Sequence, residues 1–242
     1  GLAHRVGHRQ LALARFVADA GAGKCTCDGT GGPENRGRTV GQVKWLQRQL
    51  NDPYVAAART QGYRSRAAFK LMEMDDRYKL IPKGGRIVDL GAAPGGWTQV
   101  AVERAGPKGT VVGLDISPMD AVPGAEILHL DFLAEDAPER LKAIMGGEAD
   151  AVISDMAAPA TGHRQTDHMK IMALCEAALA FAQEVLKPGG AFVCKVQRGG
   201  TEGQLLQAMK RDFRTVAHVK PPASRADSAE MYVVALGFRG QS

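Results

Sequence analysis

From residue 86 onward, short runs rich in Val, Ile and Leu alternate with segments that have helical periodicity. Apolar strands separated by helices indicate a parallel sheet that is covered on both faces. We therefore predict an α/β fold with a doubly wound, mostly parallel sheet. Strands are predicted at 86–90, 110–116, 127–130, 151–154, 191–196, 215–219 and 231–236, and helices at 97–105, 138–145, 167–186 and 202–213.

The chain before the sheet has a different charge balance. Residues 1–66 contain 11 Lys or Arg against 4 Asp or Glu, whereas the remaining 176 residues contain 20 against 22. We predict a basic, flexible extension at 1–42 and one domain at 43–242, which opens with helices at 43–50 and from an N-cap at Ser65 to Tyr78. A basic arm suits a polyanion, because phosphate contacts supply most non-specific nucleic-acid affinity. On composition alone, a solvated tail without a partner is the alternative.

Several protein classes are disfavoured. The four cysteines have neither the number and spacing of a disulfide framework nor the spacing of a zinc finger, so no metal is expected. No apolar run approaches the roughly 18 residues of a membrane span. These features predict a reduced, cytoplasmic protein that does not bind membranes. The acid-poor first 20 residues leave a transit peptide as an alternative.

The first predicted strand runs into a glycine-rich loop, Asp89-Leu90-Gly91-Ala92-Ala93-Pro94-Gly95-Gly96-Trp97. A loop in this position lies at the carboxyl edge of the sheet, where ligands bind. It departs from the G-x-G-x-x-G pattern, which favours a nucleoside ligand without a pyrophosphate. Asp115 and Asp131 end the next two predicted strands, where carboxylates can accept from ribose hydroxyls and from an adenine amino group. The alternative is that the two acids only terminate strands.

At these residues the sequence resembles the FtsJ (RrmJ-type) family of ribosomal RNA ribose 2′-O-methyltransferases. The likeness extends from about Lys44 to Phe238, with blocks at 62–71, 89–97 together with 114–120, 154–157, 193–196 and 224–232. It implies a Rossmann-like methyltransferase domain that uses S-adenosylmethionine as its cofactor. The cofactor contacts that it implies are Gly95, Trp97, Asp115, Asp131 and Asp155.

The reaction in that family rests on a Lys-Asp-Lys-Glu tetrad, and the matching positions here are Lys70, Asp155, Lys195 and Glu230. A ribose hydroxyl needs a base and close positioning before it attacks a methyl group. The resemblance implies Lys195 as the base, Asp155 and Lys70 as orienting groups, and Glu230 as a group that holds the ribose or a lysine. Burial and a second lysine would lower the pKa of Lys195, whereas the two carboxylates would raise it, and the sequence leaves that balance open.

The resemblance implies RNA as the substrate and favours a uridine ribose in 23S-type large-subunit ribosomal RNA. Ribosomal RNA or the large ribosomal subunit is then the expected partner. Transfer RNA or another RNA, methylated by the same chemistry, remains an alternative. So do a non-catalytic RNA-binding assembly factor and a small-molecule methyltransferase. One departure from the family pattern is that Ala160 and Thr161 follow Pro159, where family members often carry an Asn.

Overall fold

In a computed structural model of the protein, residues 51–158, 161–198 and 203–240 are described. The extension predicted at 1–42 and the helix predicted at 43–50 lie outside these ranges. The chain divides into two units, residues 1–66 and residues 67–242. No helix in the described part of the chain is long and apolar enough to span a membrane.

Helix α1 (Pro53–Gln61) belongs to the first unit and was not predicted from the sequence. The Asp52 carboxylate caps its start, accepting from the Tyr54 N–H at 3.0 Å and pairing with Arg66 at 3.1 Å. The helix ends at Gly62, whose φ of 80° lies in the left-handed region that favours glycine. An Asp-Pro start and a Gly end are standard boundary signals, so the missed helix was detectable from these caps.

The described residues of the second unit are built on a seven-stranded sheet. Its strands are β1 (Arg86–Leu90), β2 (Thr110–Asp115), β3 (Ala125–His129), β4 (Ala149–Ser154), β5 (Leu186–Gln197), β6 (Phe213–Val219) and β7 (Glu230–Phe238). Their order is β3-β2-β1-β4-β5-β7-β6, and β7 runs antiparallel to both of its neighbours while the other pairs are parallel. The prediction of a mostly parallel, doubly wound α/β sheet is therefore confirmed.

The helices of this unit are α2 (Ala67–Tyr78), α3 (Gly96–Ala105), α4 (Ala137–Met145), α5 (Arg164–Val185) and α6 (Gln204–Asp212). The predicted N-cap at Ser65 is wrong, because residues 64–66 form bends and a turn and the helix begins at Ala67. Strand β3 ends at His129, so Asp131 lies two residues beyond the strand instead of at its end. The Leu130 N–H still donates to the Asp115 carbonyl at 3.0 Å, which keeps this segment beside β2.

The four central strands carry their carboxyl ends to one edge of the sheet. Apart from the exposed residues 187–189 at the start of β5, their residues are buried or half-buried, as expected for parallel strands that are covered on both faces. Leu90 pairs with Ser154, and Ser154 pairs with Cys194, so the ends of β1 and β4 lie side by side with Cys194 of β5. The residues that follow these three, Gly91, Asp155 and Lys195, therefore lie at the same edge.

Candidate active site

Lys195 lies at the centre of a buried charge cluster at this edge. Its Nζ is 2.9 Å from Asp155 Oδ1 and 3.6 Å from Glu230 Oε1, and it donates to the Asp155 carbonyl at 2.8 Å. The lysine is 6% exposed. An ammonium group that has lost nearly all of its water is thus held by two carboxylates and a carbonyl.

The strand registers explain how these groups meet. Lys195 of β5 lies directly opposite Tyr232 of β7, and Glu230 precedes Tyr232 by two residues. Because side chains two apart on a strand share a face, Glu230 lies on the same face of the sheet as Lys195. On the β4 side of β5, Ser154 is the partner of Cys194. Asp155 follows Ser154, so it lies level with Lys195.

Lys70 completes the cluster from α2. It is 6% exposed, and its Nζ is 3.2 Å from Glu230 Oε2. The two oxygens of Glu230 therefore face two different lysines. The structure brings together all four residues of the predicted tetrad, although they come from four separate parts of the chain.

The electrostatics of the cluster answer the question that the sequence left open. Burial lowers the pKa of Lys195, but the charges of Asp155 and Glu230 outweigh it, so the pKa is raised above its usual 10.5. Burial raises the pKa of Glu230, but Lys195 and Lys70 outweigh it, so that pKa falls below its usual 4.5. Lys195 and Glu230 are therefore held as ions in this state.

Tyr232 is a member of the cluster that the sequence analysis missed. It is fully buried, and its hydroxyl donates to Asp155 Oδ1 at 2.5 Å. Burial, together with the Asp155 charge, raises its pKa well above the usual value, so it remains a proton donor. The Lys70 Nζ lies 5.6 Å from the centre of its ring. The sequence signal that could have identified Tyr232 is its position two residues after Glu230, because side chains two apart on a strand share a face.

Trp97 was predicted to contact the cofactor, and the structure shows its packing partners. The indole is 3% exposed, donates its N–H to the Ala67 carbonyl at 2.8 Å, and lies 5.6 Å from the Tyr232 ring between centres. Ala67 is the first residue of α2, one turn before Lys70. Trp97 thus joins the start of α3 to the helix that carries a tetrad lysine. Gly95 precedes α3 with a φ of 110°, which favours glycine.

Asp115 and Asp131 both organise the backbone around them. Asp115 accepts from the Ala93 N–H at 2.9 Å and from the Ser117 N–H at 2.7 Å, so it ties the glycine loop to the end of β2. Asp131 accepts from the Leu133 N–H at 2.9 Å. A carboxylate offers about four lone-pair positions, so both side chains can accept further hydrogen bonds from a ligand.

The glycine loop packs closely against Met156 in the segment that follows β4 and carries Asp155. A Cβ added to Gly91 would lie 2.2 Å from Met156 Cγ, next to Asp155 in sequence, and the φ of Gly91 is 73°. A side chain here would therefore force the Met156 side chain, next to Asp155, to move. Among the described residues, no group of three or more His, Cys, Asp or Glu is arranged to hold a metal ion.

Asp89, in β1 at the start of the glycine loop, is a second residue that the sequence analysis did not assign to the site. It is 1% exposed and accepts from the Thr98 hydroxyl at 2.7 Å. Burial raises its pKa to about 7; the Thr98 bond opposes this, and the charges of Asp155 and Asp115 add to it. A buried carboxyl with a pKa raised to about 7 thus lies at the start of the loop.

The sequence of this domain matches a known family. The model of the FtsJ-like methyltransferases matches residues 63–238, a span that contains the four tetrad residues and the glycine loop. The chain belongs to the FtsJ-like methyltransferase family. The resemblance seen in the sequence is thereby confirmed.

Curated relatives extend over most of the chain. A protein of Parvibaculum lavamentivorans, named ribosomal RNA large subunit methyltransferase E, is 59% identical and covers 91% of this chain and 94% of its own length. A protein of Gluconobacter oxydans with the same name is 62% identical and covers 84% of this chain and 75% of its own length. Among solved structures, a Plasmodium falciparum chain provisionally described as a ribosomal RNA methyltransferase has a TM-score of 0.66 at 29% identity. The match covers 74% of this chain and 100% of the Plasmodium falciparum chain.

Proposed function

We propose that this family member transfers a methyl group from S-adenosylmethionine to a ribose 2′-hydroxyl of RNA, and that the target is a uridine in 23S-type large-subunit ribosomal RNA. The observation that carries this proposal is the buried Lys195, paired with Asp155 beside the glycine loop. The relatives named ribosomal RNA large subunit methyltransferase E support ribosomal RNA as the substrate. A cytoplasmic location follows from that substrate.

The residues at the sheet edge fit the proposed cofactor. S-adenosylmethionine presents a sulfonium, an amino group, ribose hydroxyls and an adenine amino group, which are cations or hydrogen-bond donors. Asp115 supplies an acceptor at the end of β2, Asp131 supplies one two residues beyond β3, and Asp155, which follows β4, adds a third carboxylate. The glycine loop allows the backbone to approach a ligand closely. We therefore assign Gly95, Trp97, Asp115, Asp131 and Asp155 to the cofactor site.

When bound, the cofactor supplies an electrophilic methyl group, and the chain must supply a base and orientation. Lys195 is the proposed base, and it can accept the proton of the hydroxyl only after its own ammonium has lost one. Asp155 and Glu230 raise its pKa, so the neutral amine is a minor form at neutral pH. Transfer should therefore become faster as the pH rises.

The other members of the cluster have orienting roles in this proposal. Asp155 receives Lys195 and the Tyr232 hydroxyl on the same carboxylate oxygen, which restricts where Lys195 can point. Glu230 lies between Lys195 and Lys70, and it is the most exposed tetrad side chain at 35%. Glu230 and Lys70 are thus the groups that we propose to contact the ribose.

The test is methyl transfer from tritiated S-adenosylmethionine to large ribosomal subunits, naked ribosomal RNA and transfer RNA. We expect label in the ribosomal substrates with the unmodified protein. We expect at least about a 100-fold loss with Lys195→Arg, because an arginine cannot be deprotonated in a protein. Lys187→Arg, which changes a lysine paired with Asp150 at the other end of β5, is the matched control.

Each alternative gives a different result. Label in transfer RNA alone would identify the other RNA substrate. Binding of subunits without any label would indicate an assembly factor. Substantial transfer by Lys195→Arg would make Lys195 an electrostatic group instead of a base.

A further inference from the structure

The segment between β6 and β7, residues 220–229, is an ordered part of the fold and ends at a tetrad residue. We call it the β6–β7 loop. Its first half is packed into the protein, with Ala223 fully buried and Ser224 8% exposed. The Ser224 N–H donates to the Pro221 carbonyl at 2.8 Å, which closes a turn within that half. Glu230 follows the loop directly as the first residue of β7.

Lys220 holds the second half of the loop. Its Nζ donates to the Ala226 carbonyl at 3.0 Å and to the Ser228 carbonyl at 2.7 Å. The Ser228 hydroxyl oxygen in turn accepts from the Glu230 N–H at 3.1 Å. Hydrogen bonds from a charged donor are stronger than neutral ones, so one ammonium fixes the backbone immediately before Glu230.

Glu73 ties the same loop to α2. Its Oε2 accepts from the Ala223 N–H at 2.7 Å. Lys70, which pairs with Glu230, precedes Glu73 by three residues, so the two side chains lie on neighbouring positions of one helix face. Helix α2 therefore contacts the loop through Glu73 and the residue after the loop through Lys70.

Glu230 needs this support more than the other tetrad carboxylate does. Asp155 is held by the buried Tyr232 hydroxyl, whereas the Glu230 side chain is 35% exposed. Its position must therefore come from its ion pairs, from the hydrogen bond between its carboxylate and the Ser228 side chain, and from the backbone that carries it. A backbone shift of about 1 Å in a positioning element can lower a rate by about 100-fold.

We propose that Lys220 and Glu73 are positioning residues that hold the β6–β7 loop in the shape that presents Glu230 to Lys70 and Lys195. Each of the two acts through the loop backbone to which it is bonded. The inference rests on the proposed methyl transfer for its kinetic consequence, but the placement of Glu230 can be measured without any activity.

The kinetic test uses single-turnover transfer by the full chain to large ribosomal subunits. Lys220→Met should be slower by about tenfold or more, while its S-adenosylmethionine affinity stays within about threefold. Lys187→Met, which removes a lysine bonded at the other end of β5, should keep the unmodified rate. Glu73→Ala should show the same pattern as Lys220→Met, and it serves if Lys220→Met does not fold.

The decisive variant combines Lys220→Met with Glu230→Gln. If Lys220 acts through Glu230, the double variant should be no slower than Glu230→Gln alone, because residues that act as a unit are not additive. Multiplied losses would overturn the inference. So would an unmodified rate in both Lys220→Met and Glu73→Ala.

A second measurement separates this inference from the proposed function. Carbon-13 NMR titration of the Glu carboxyls follows Glu230 in the protein alone, where Lys195 and Lys70 hold its pKa below the usual value. In Lys220→Met that pKa should rise toward the usual value, because Glu230 is no longer held against the two lysines. An unchanged pKa would overturn the inference even if the unmodified protein methylates no RNA.

Discussion

Replacing Asp89 by asparagine is expected to remove a loss of stability that develops as the pH rises. Asp89 is 1% exposed, and burial raises its pKa from 3.8 to about 7. Well below pH 3.8 the carboxyl is neutral in both the folded and the unfolded chain. As the pH rises, the unfolded chain loses the proton first, so the free energy of unfolding falls until the folded chain also ionises near pH 7.

The size of this effect follows from the two pKa values. One pKa unit corresponds to about 1.4 kcal/mol, so a rise from 3.8 to about 7 corresponds to roughly 4 kcal/mol of lost stability above pH 7. The amide side chain of Asp89→Asn would be neutral at every pH, and its oxygen could still accept from the Thr98 hydroxyl. The stability of the variant relative to the unmodified protein should therefore increase by roughly 4 kcal/mol between pH 4 and pH 8.

Urea unfolding at a series of pH values between 4 and 8 measures this difference. Asp136→Asn is the control, since that side chain is 66% exposed and should follow the unmodified protein. The difference in the free energy of unfolding at pH 4 reflects how well the amide fits, so the test is how that difference changes as the pH rises. A difference that stays flat from pH 4 to pH 8 would refute the assignment of a raised pKa to Asp89.

Three further results are expected. Asp115→Ala should weaken S-adenosylmethionine binding about 10-fold or more in calorimetry, since each lost bond to a charged acceptor costs about 1.5–3 kcal/mol; unchanged affinity would remove Asp115 from the site. Tyr232→Phe removes the hydroxyl that donates to Asp155 and should slow single-turnover transfer about 10-fold or more while cofactor binding survives; an unaltered rate would show that Asp155 orients Lys195 unaided. Deleting residues 1–40, which hold six Lys or Arg against three Asp or Glu, should weaken RNA binding and flatten its dependence on salt. Equal salt slopes for the two proteins would mean that the deleted residues do not contact phosphate.

The sheet and the position of its functional edge could be predicted from the sequence. Strand-forming runs such as 86–90 and 151–154 are short, apolar and followed by loops, which is typical of parallel strands. Because parallel strands end at one edge, Asp155 and Lys195 could be expected to lie near the glycine loop. Lys70 and Glu230 could be matched only through the family resemblance, since nothing local on α2 or β7 marks them.

What could not be predicted depends on pairing across the chain. Tyr232 donates to Asp155 because β5 lies between β4 and β7, and that strand order is not visible in the sequence. The pKa of Lys195 depends on how deeply the lysine is buried and on how many carboxylates lie beside it. Only the assembled site therefore decides whether this pKa is raised or lowered. The bonds of Lys220 to its own loop likewise require the folded backbone.

The most direct test of the proposed function is the chemical identity of the product. Large ribosomal subunits that lack the modification would be incubated with the protein and S-adenosylmethionine, and their RNA would be digested to nucleosides for mass spectrometry. We predict one new nucleoside, 2′-O-methyluridine, which is formed by the unmodified protein and by Lys187→Arg but not by Lys195→Arg. A methyl group on a base, or equal amounts of 2′-O-methyluridine with Lys195→Arg, would contradict ribose methylation with Lys195 as the base.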